Sequence, residues 1–180
     1  MSGVDDSETM AQQIGRPLRA ASKVLCRCNL SLPVVAEVPP VLETGEPFPT
    51  RYWLTCPLAH RRIARLEAAG GVRELQARLQ SDPAFAEELA QAHARYAEER
   101  DALVPSAARH VPRGGVAGAT GGIKCLHAHY ADFMAGNDNP VGREVHRRVG
   151  APRCEVPCVT QAEAGPQRNP AWREPEELGE

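Results

Sequence analysis

Three side chains able to bind a metal or attack an electrophile, Cys125, His127 and His129, sit within five residues of one another. Thiolate and imidazole are preferred ligands of zinc, and a thiol beside an imidazole base is also the pairing used in thiol catalysis. Ahead of them, residues 113–124 read RGGVAGATGGIK, five glycines and then Lys124. A turn of this kind running into a helix offers an anion free backbone N–H groups and the positive end of the helix dipole. Gly121, Gly122 and Lys124 are therefore candidates for holding a small anion or phosphate. A phosphate loop of the nucleotide-hydrolysing kind needs Gly-Lys-Ser/Thr. Here Ile123 separates Gly122 from Lys124 and Cys125 follows, so nucleotide hydrolysis is disfavoured.

Two chemistries remain. In the first, Cys125 and His129, spaced i and i+4, share one face of a helix and are joined by Cys28 and Cys56 in a metal site. Such a set suits zinc, while four thiolates would suit an iron–sulfur cluster. His127 then points elsewhere, and Cys154 and Cys158 are compatible additions from later in the chain. No C-x-x-C knuckle supports this reading. In the second, a helix N-terminus and Lys124 lower the Cys125 thiol pKa, and His127 or His129 serves as base for a thiol- or phosphate-directed enzyme. The plain alternative is that the cysteines are small core hydrophobes and the glycine loop is solvated. A third reading, a non-catalytic interaction module, would use Tyr52 and Trp53 beside Pro47 and Pro49. More often such aromatics build the core.

Composition narrows the setting. A chain of 180 residues can bury a sizeable core, and with 4% aromatic residues that core must be mainly Leu, Val, Ile and Ala. The formal charge of −2 gives no electrostatic case for nucleic acid or an anionic membrane. Arg61, Arg62, Arg65, Arg73 and Arg78 are interrupted by Glu67 and Glu74, as on a solvated face. No apolar run reaches the roughly 18 residues of a spanning helix, and the acidic start does not resemble a secretory signal. These features predict a cytoplasmic protein, in which six cysteines are thiols, ligands or redox groups rather than structural disulfides.

The elements that must position these residues follow from the apolar pattern. Polar residues 1–15 and 159–180 predict disordered ends around a single domain over 16–158. Residues 33–42 are β-rich but carry Pro39 and Pro40, which predicts an edge strand, and Tyr52-Trp53-Leu54 supplies a second. Pro57 opens a helix that Gly70-Gly71 stops; Val72, Leu75 and Leu79 mark the next. Asp82 and Pro83 begin the longest, which runs to about Val104. After a loop over 105–122, helices are predicted over Ile123–Ala135 and Val141–Val149. The fold class is mostly α (α+β): a compact helical domain with a small, Pro-interrupted, two-stranded β element.

Several short motifs occur in a fixed order: Glu46-Pro47-Phe48-Pro49-Thr50, Tyr52-Trp53-Leu54-Thr55-Cys56-Pro57, Leu66-Glu67-Ala68-Ala69-Gly70, Lys124-Cys125-Leu126-His127-Ala128-His129 and Asn139-Pro140-Val141-Gly142. As a set over about residues 20–158 they resemble a bacterial family known as domain of unknown function 501. The resemblance implies no activity, and it places Cys28, Cys56, Cys125, His127 and His129 on the family's motif positions. The leading expectation is a metal-binding protein, zinc or iron–sulfur, with no assigned partner.

Overall fold

A computed structural model describes residues 6–175. Its elements in chain order are α1 (Asp6–Ile14), β1 (Lys23–Arg27), β2 (Pro33–Glu37), β3 (Tyr52–Leu54), α2 (Pro57–Ala68), α3 (Gly71–Ser81), α4 (Pro83–Asp101), α5 (Leu126–Met134), α6 (Pro140–Val149), β4 (Val159–Ala162) and β5 (Gly165–Arg168). The fold is α+β and mostly helical, as the apolar pattern predicts. Among the described residues no helix is long and apolar enough to cross a membrane.

The sheet has three antiparallel strands in the order β1-β2-β3, one more than expected. Strand β2 lies in its centre rather than at its edge. Pro33 occupies its first position and Pro39-Pro40 fall beyond its end, so neither interrupts the ladder. Val35 pairs with Cys26 on one side and Leu54 on the other, and Val34 and Val35 are fully buried. The irregular register on either side of Cys26 bends β1.

Helices α2, α4 and α6 begin where proline and capping chemistry place them. The Asp82 carboxylate accepts from the Phe85 amide at 3.1 Å, and Asn139 accepts from Gly142 at 2.9 Å. Helix α4 ends at Asp101, three residues before the predicted limit. Helix α5 starts at Leu126, also three residues later than predicted. Residues 1–5 and 176–180 of the expected disordered ends lie outside the described residues, and within the described ones the polar ends differ from expectation. Asp6–Ile14 is a helix and residues 159–168 form the β4–β5 hairpin, and the two pack together. Met10 and Val159 are buried there, so each segment becomes regular by covering the other. No periodic pattern within either one announces this.

Among the helices, α5 and α6 make the most extensive contact. The Asn139 amide donates to Asp132 Oδ2 at 2.8 Å and to His129 Nδ1 at 3.1 Å. Arg95 of α4 donates to the same Asp132 oxygen at 2.6 Å. Asp132 is fully buried, so this pairing and its amide bonds are what make its burial tolerable. Gly142 lets the two helices close, since a Cβ there would overlap the His129 carbonyl oxygen and the Phe133 side chain. Replacing Gly142 with Ala should force α6 away from α5 and lower stability by about 2–3 kcal/mol. A urea midpoint equal to that of the parent chain would show that this close approach does not matter.

Candidate metal centre

Helix α5 starts without a side-chain cap. Its N-cap residue, Cys125, has extended backbone (φ −154°, ψ 120°) and its thiol makes no capping bond. The Leu126 amide is answered instead by Glu67 of α2, whose Oε1 accepts at 2.6 Å. A carboxylate at a helix N-terminus satisfies an orphan donor and opposes the positive dipole end. The same contact brings Glu67 to the first turn of α5, where His127 lies 3.3 Å from Oε1 through Nδ1. The Cys125 sulfur is 3.9 Å from that same nitrogen. One ligand atom each from Glu67, Cys125 and His127 therefore lie within 4.8 Å of one another, all three residues half-buried.

The other imidazole nitrogen fixes the tautomer. His127 Nε2 is 3.1 Å from the His60 backbone carbonyl, which can only accept, so Nε2 carries a proton. In the neutral ring the Nδ1 lone pair then faces both the Glu67 carboxylate and the Cys125 sulfur. A positive charge between them, a proton or a metal ion, satisfies all three. Burial disfavours the imidazolium, but the Cys125 hydrogen bond, the Glu67 carboxylate and the His60 carbonyl together outweigh it and hold the His127 pKa above its ordinary value. The His60 ring packs against this one at a tilt, centroids 4.3 Å apart; burial, then the neighbouring His127, pushes its own pKa down.

Cys125, His127 and His60 line a pocket of about 660 Å³. Trp53 and Trp172 form much of its apolar wall, with Arg16 packed over one indole at 5.3 Å and Arg61 over the other at 4.9 Å. Arg168 adds a third guanidinium. The pocket is thus lined by cations, aromatic faces and the Cys–His pair.

The remaining sequence-predicted residues lie elsewhere. His129 is fully buried and faces Asn139 and the His93 ring, whose centroid is 5.6 Å away. Because Cys125 precedes the helix, the i, i+4 face expected for these two does not exist, and among the described residues His129 joins no group of three ligand atoms. Cys28 and Cys56 border a separate small cavity. Gly121, Gly122 and Lys124 are not part of the pocket wall, and Lys124 is exposed. The glycine loop is strapped inward. His93 accepts from the Val116 amide at 3.0 Å and donates to the Gly122 carbonyl at 2.9 Å, and Gln76 accepts from Ile123 at 2.8 Å. Buried Arg100 holds the Gly114 carbonyl at 2.6 Å. These bonds engage the amides of Val116 and Ile123 and the carbonyls of Gly114 and Gly122. Glu67, by contrast, was not among the expected ligands. Its only signal was its place in the Leu66–Gly70 motif.

The family described as "Protein of unknown function (DUF501)" matches residues 24–147, more than half of the chain. The chain belongs to this family. The DUF501 match contains Glu67, Cys125 and His127, together with Cys28 and Cys56, and stops before Cys154 and Cys158. No curated protein and no solved structure matches the chain.

The core role of His129 has a consequence in acid. Burial, followed by the nearby His93, lowers its pKa from 6.5 to about 3. The unfolded chain therefore takes up this proton first, so stability falls as pH drops below 6.5 and this loss is complete near 3. The variant His129→Gln should show a shallower decline of unfolding free energy over that window, by up to about one proton's worth of slope. Parallel pH profiles for parent and variant would mean that His129 does not remain neutral when folded.

Proposed function

We propose that this chain is a metal-binding protein whose centre is Glu67, Cys125 and His127, with zinc the ion best matched to the ligand set. The observation that carries the reading is the convergence of a sulfur and a carboxylate oxygen on one imidazole nitrogen, while the other nitrogen donates to a backbone carbonyl. Metal-ligating histidines characteristically donate their free N–H in this way, which fixes the ring and keeps the ligating lone pair aimed at the ion. Three protein ligands leave a fourth zinc position, the arrangement of catalytic rather than structural sites. That position would face the pocket, where Arg16, Arg61 and Arg168 favour a small anionic ligand with an apolar portion to lie against Trp53 or Trp172.

The same geometry disfavours the thiol-enzyme alternative. In a nucleophile–base–acid relay the base receives the nucleophile's proton on one nitrogen and is oriented by the acid through the other. Here the sulfur and the carboxylate both face Nδ1. Lys124 is exposed and contributes nothing to the pocket wall. The interaction-module alternative has less support, because Tyr52 is buried and Trp53 is stacked on Phe48 at 5.5 Å.

Imidazole NMR on the metal-free full chain tests the assignment residue by residue. His127 should titrate above the ordinary histidine range without metal and stop titrating in saturating zinc, keeping its Nε2 proton. Glu67→Gln and Cys125→Ser should each weaken zinc binding at this ring by about 10–100-fold. A His127 that titrates identically with and without zinc contradicts the proposal.

A further inference from the structure

Four of the six cysteines, none of them in the Glu67 centre, come to one place. Cys28, Cys56, Cys154 and Cys158 all border a single cavity of about 10 Å³ whose other walls include Leu30, Leu32 and Leu58. They arrive from three separate parts of the chain: the β1–β2 loop, the N-cap of α2, and the irregular segment between α6 and β4. None is in a disulfide.

Specific contacts hold these segments together. Asn29, next to Cys28, grips the backbone of Cys154 at both ends, donating to its carbonyl at 2.8 Å and accepting from its amide at 3.0 Å. Gln13 points its amide N–H at the Cys158 sulfur, 3.6 Å away. Trp172 borders the same cavity, and its indole N–H is buried without a hydrogen-bond partner. Donors aimed at sulfur are what a thiolate needs and a neutral thiol hardly rewards. Four cysteines thus border one apolar cavity, and a side-chain N–H is aimed at one of their sulfurs.

We propose that Cys28, Cys56, Cys154 and Cys158 form a second, structural metal site, a tetrathiolate for a single zinc-type ion. The cavity has room for about one water-sized sphere, hence for one ion and not for a cube of iron and sulfide. Zinc–sulfur bonds of about 2.3 Å bring tetrahedral sulfurs roughly 3.8 Å apart. No three of these sulfurs all lie within 4.8 Å of one another, so coordination would draw them inward. Rotation of the cysteine side chains supplies that movement, while the backbones stay held by Asn29 at Cys154, by the hairpin loop at Cys28 and by the start of α2 at Cys56. Each coordinating thiol gives its proton to solvent, and no electron is transferred. The bound ion would tie the chain beyond α6 to the sheet and α2. This site is independent of the Glu67 centre.

Cobalt or cadmium substitution tests it, because the thiolate-to-metal absorption scales with the number of thiolates bound. The full chain carrying Cys125→Ser, which removes the only sulfur of the Glu67 centre, should still bind one ion with the intensity of four thiolates. Cys154→Ser or Cys158→Ser should each remove about a quarter of that intensity and weaken binding at least about tenfold. Cys26→Ser should change neither. Both test positions lie in the irregular segment, and far-UV circular dichroism confirms that each variant is folded. An intensity of two thiolates or fewer in folded Cys125→Ser overturns the proposal. So does a brown protein containing inorganic sulfide, which would put a cluster where a single ion is proposed.

Discussion

The Leu126 amide must have an acceptor, and the way it finds one arranges the candidate centre. An N-cap side chain reaches only the second or third amide of its helix, so the first, that of Leu126, takes its acceptor from α2. The borrowed cap joins two helices through one carboxylate and leaves the Cys125 sulfur free. It also puts a negative charge beside His127 Nδ1, which is why that ring favours a cation.

This arrangement is only as firm as the position of α5. Behind the helix, Asp132, Asn139 and His129 form a buried polar knot with Arg95, and Gly142 allows α6 to close over it. In front, the glycine loop that delivers Cys125 is fastened to α3 and α4 by Gln76, His93 and Arg100. Buried polar groups of this kind are tolerated because nearly every donor has an acceptor, and their directionality sets the helix more narrowly than apolar packing would. His93 and His129 are thus structural histidines behind the helix, and His127 is the one that reaches the pocket.

The helices were largely legible in the sequence because their starts are local. Pro57, Asp82-Pro83 and Asn139-Pro140 each specify a helix N-terminus within two or three residues. The start of α5 was not, since five glycines impose no period and the cap comes from residue 67. Glu67 escaped notice for the same reason: on a helix among arginines a glutamate reads as a solvated charge, and only tertiary contact turns it inward. His129 pairs with Cys125 on one face only if residue 125 is helical, and it precedes the helix instead. Helix α1 and the β4–β5 hairpin were hidden because neither has an apolar face of its own, and their burial arises from contact with each other. Cysteine number and type pointed toward metal chemistry, whereas the division of the six among places depended on the fold.

The most direct measurement of the central claim is anomalous diffraction at the zinc edge from crystals of the full chain grown with zinc. The account predicts a peak at bonding distance, about 2.0–2.3 Å, from Cys125 Sγ, His127 Nδ1 and the Glu67 carboxylate, with a fourth direction open to the pocket. Zinc-saturated crystals with no peak at that point, and with His127 still held to Glu67 through a proton, would contradict it.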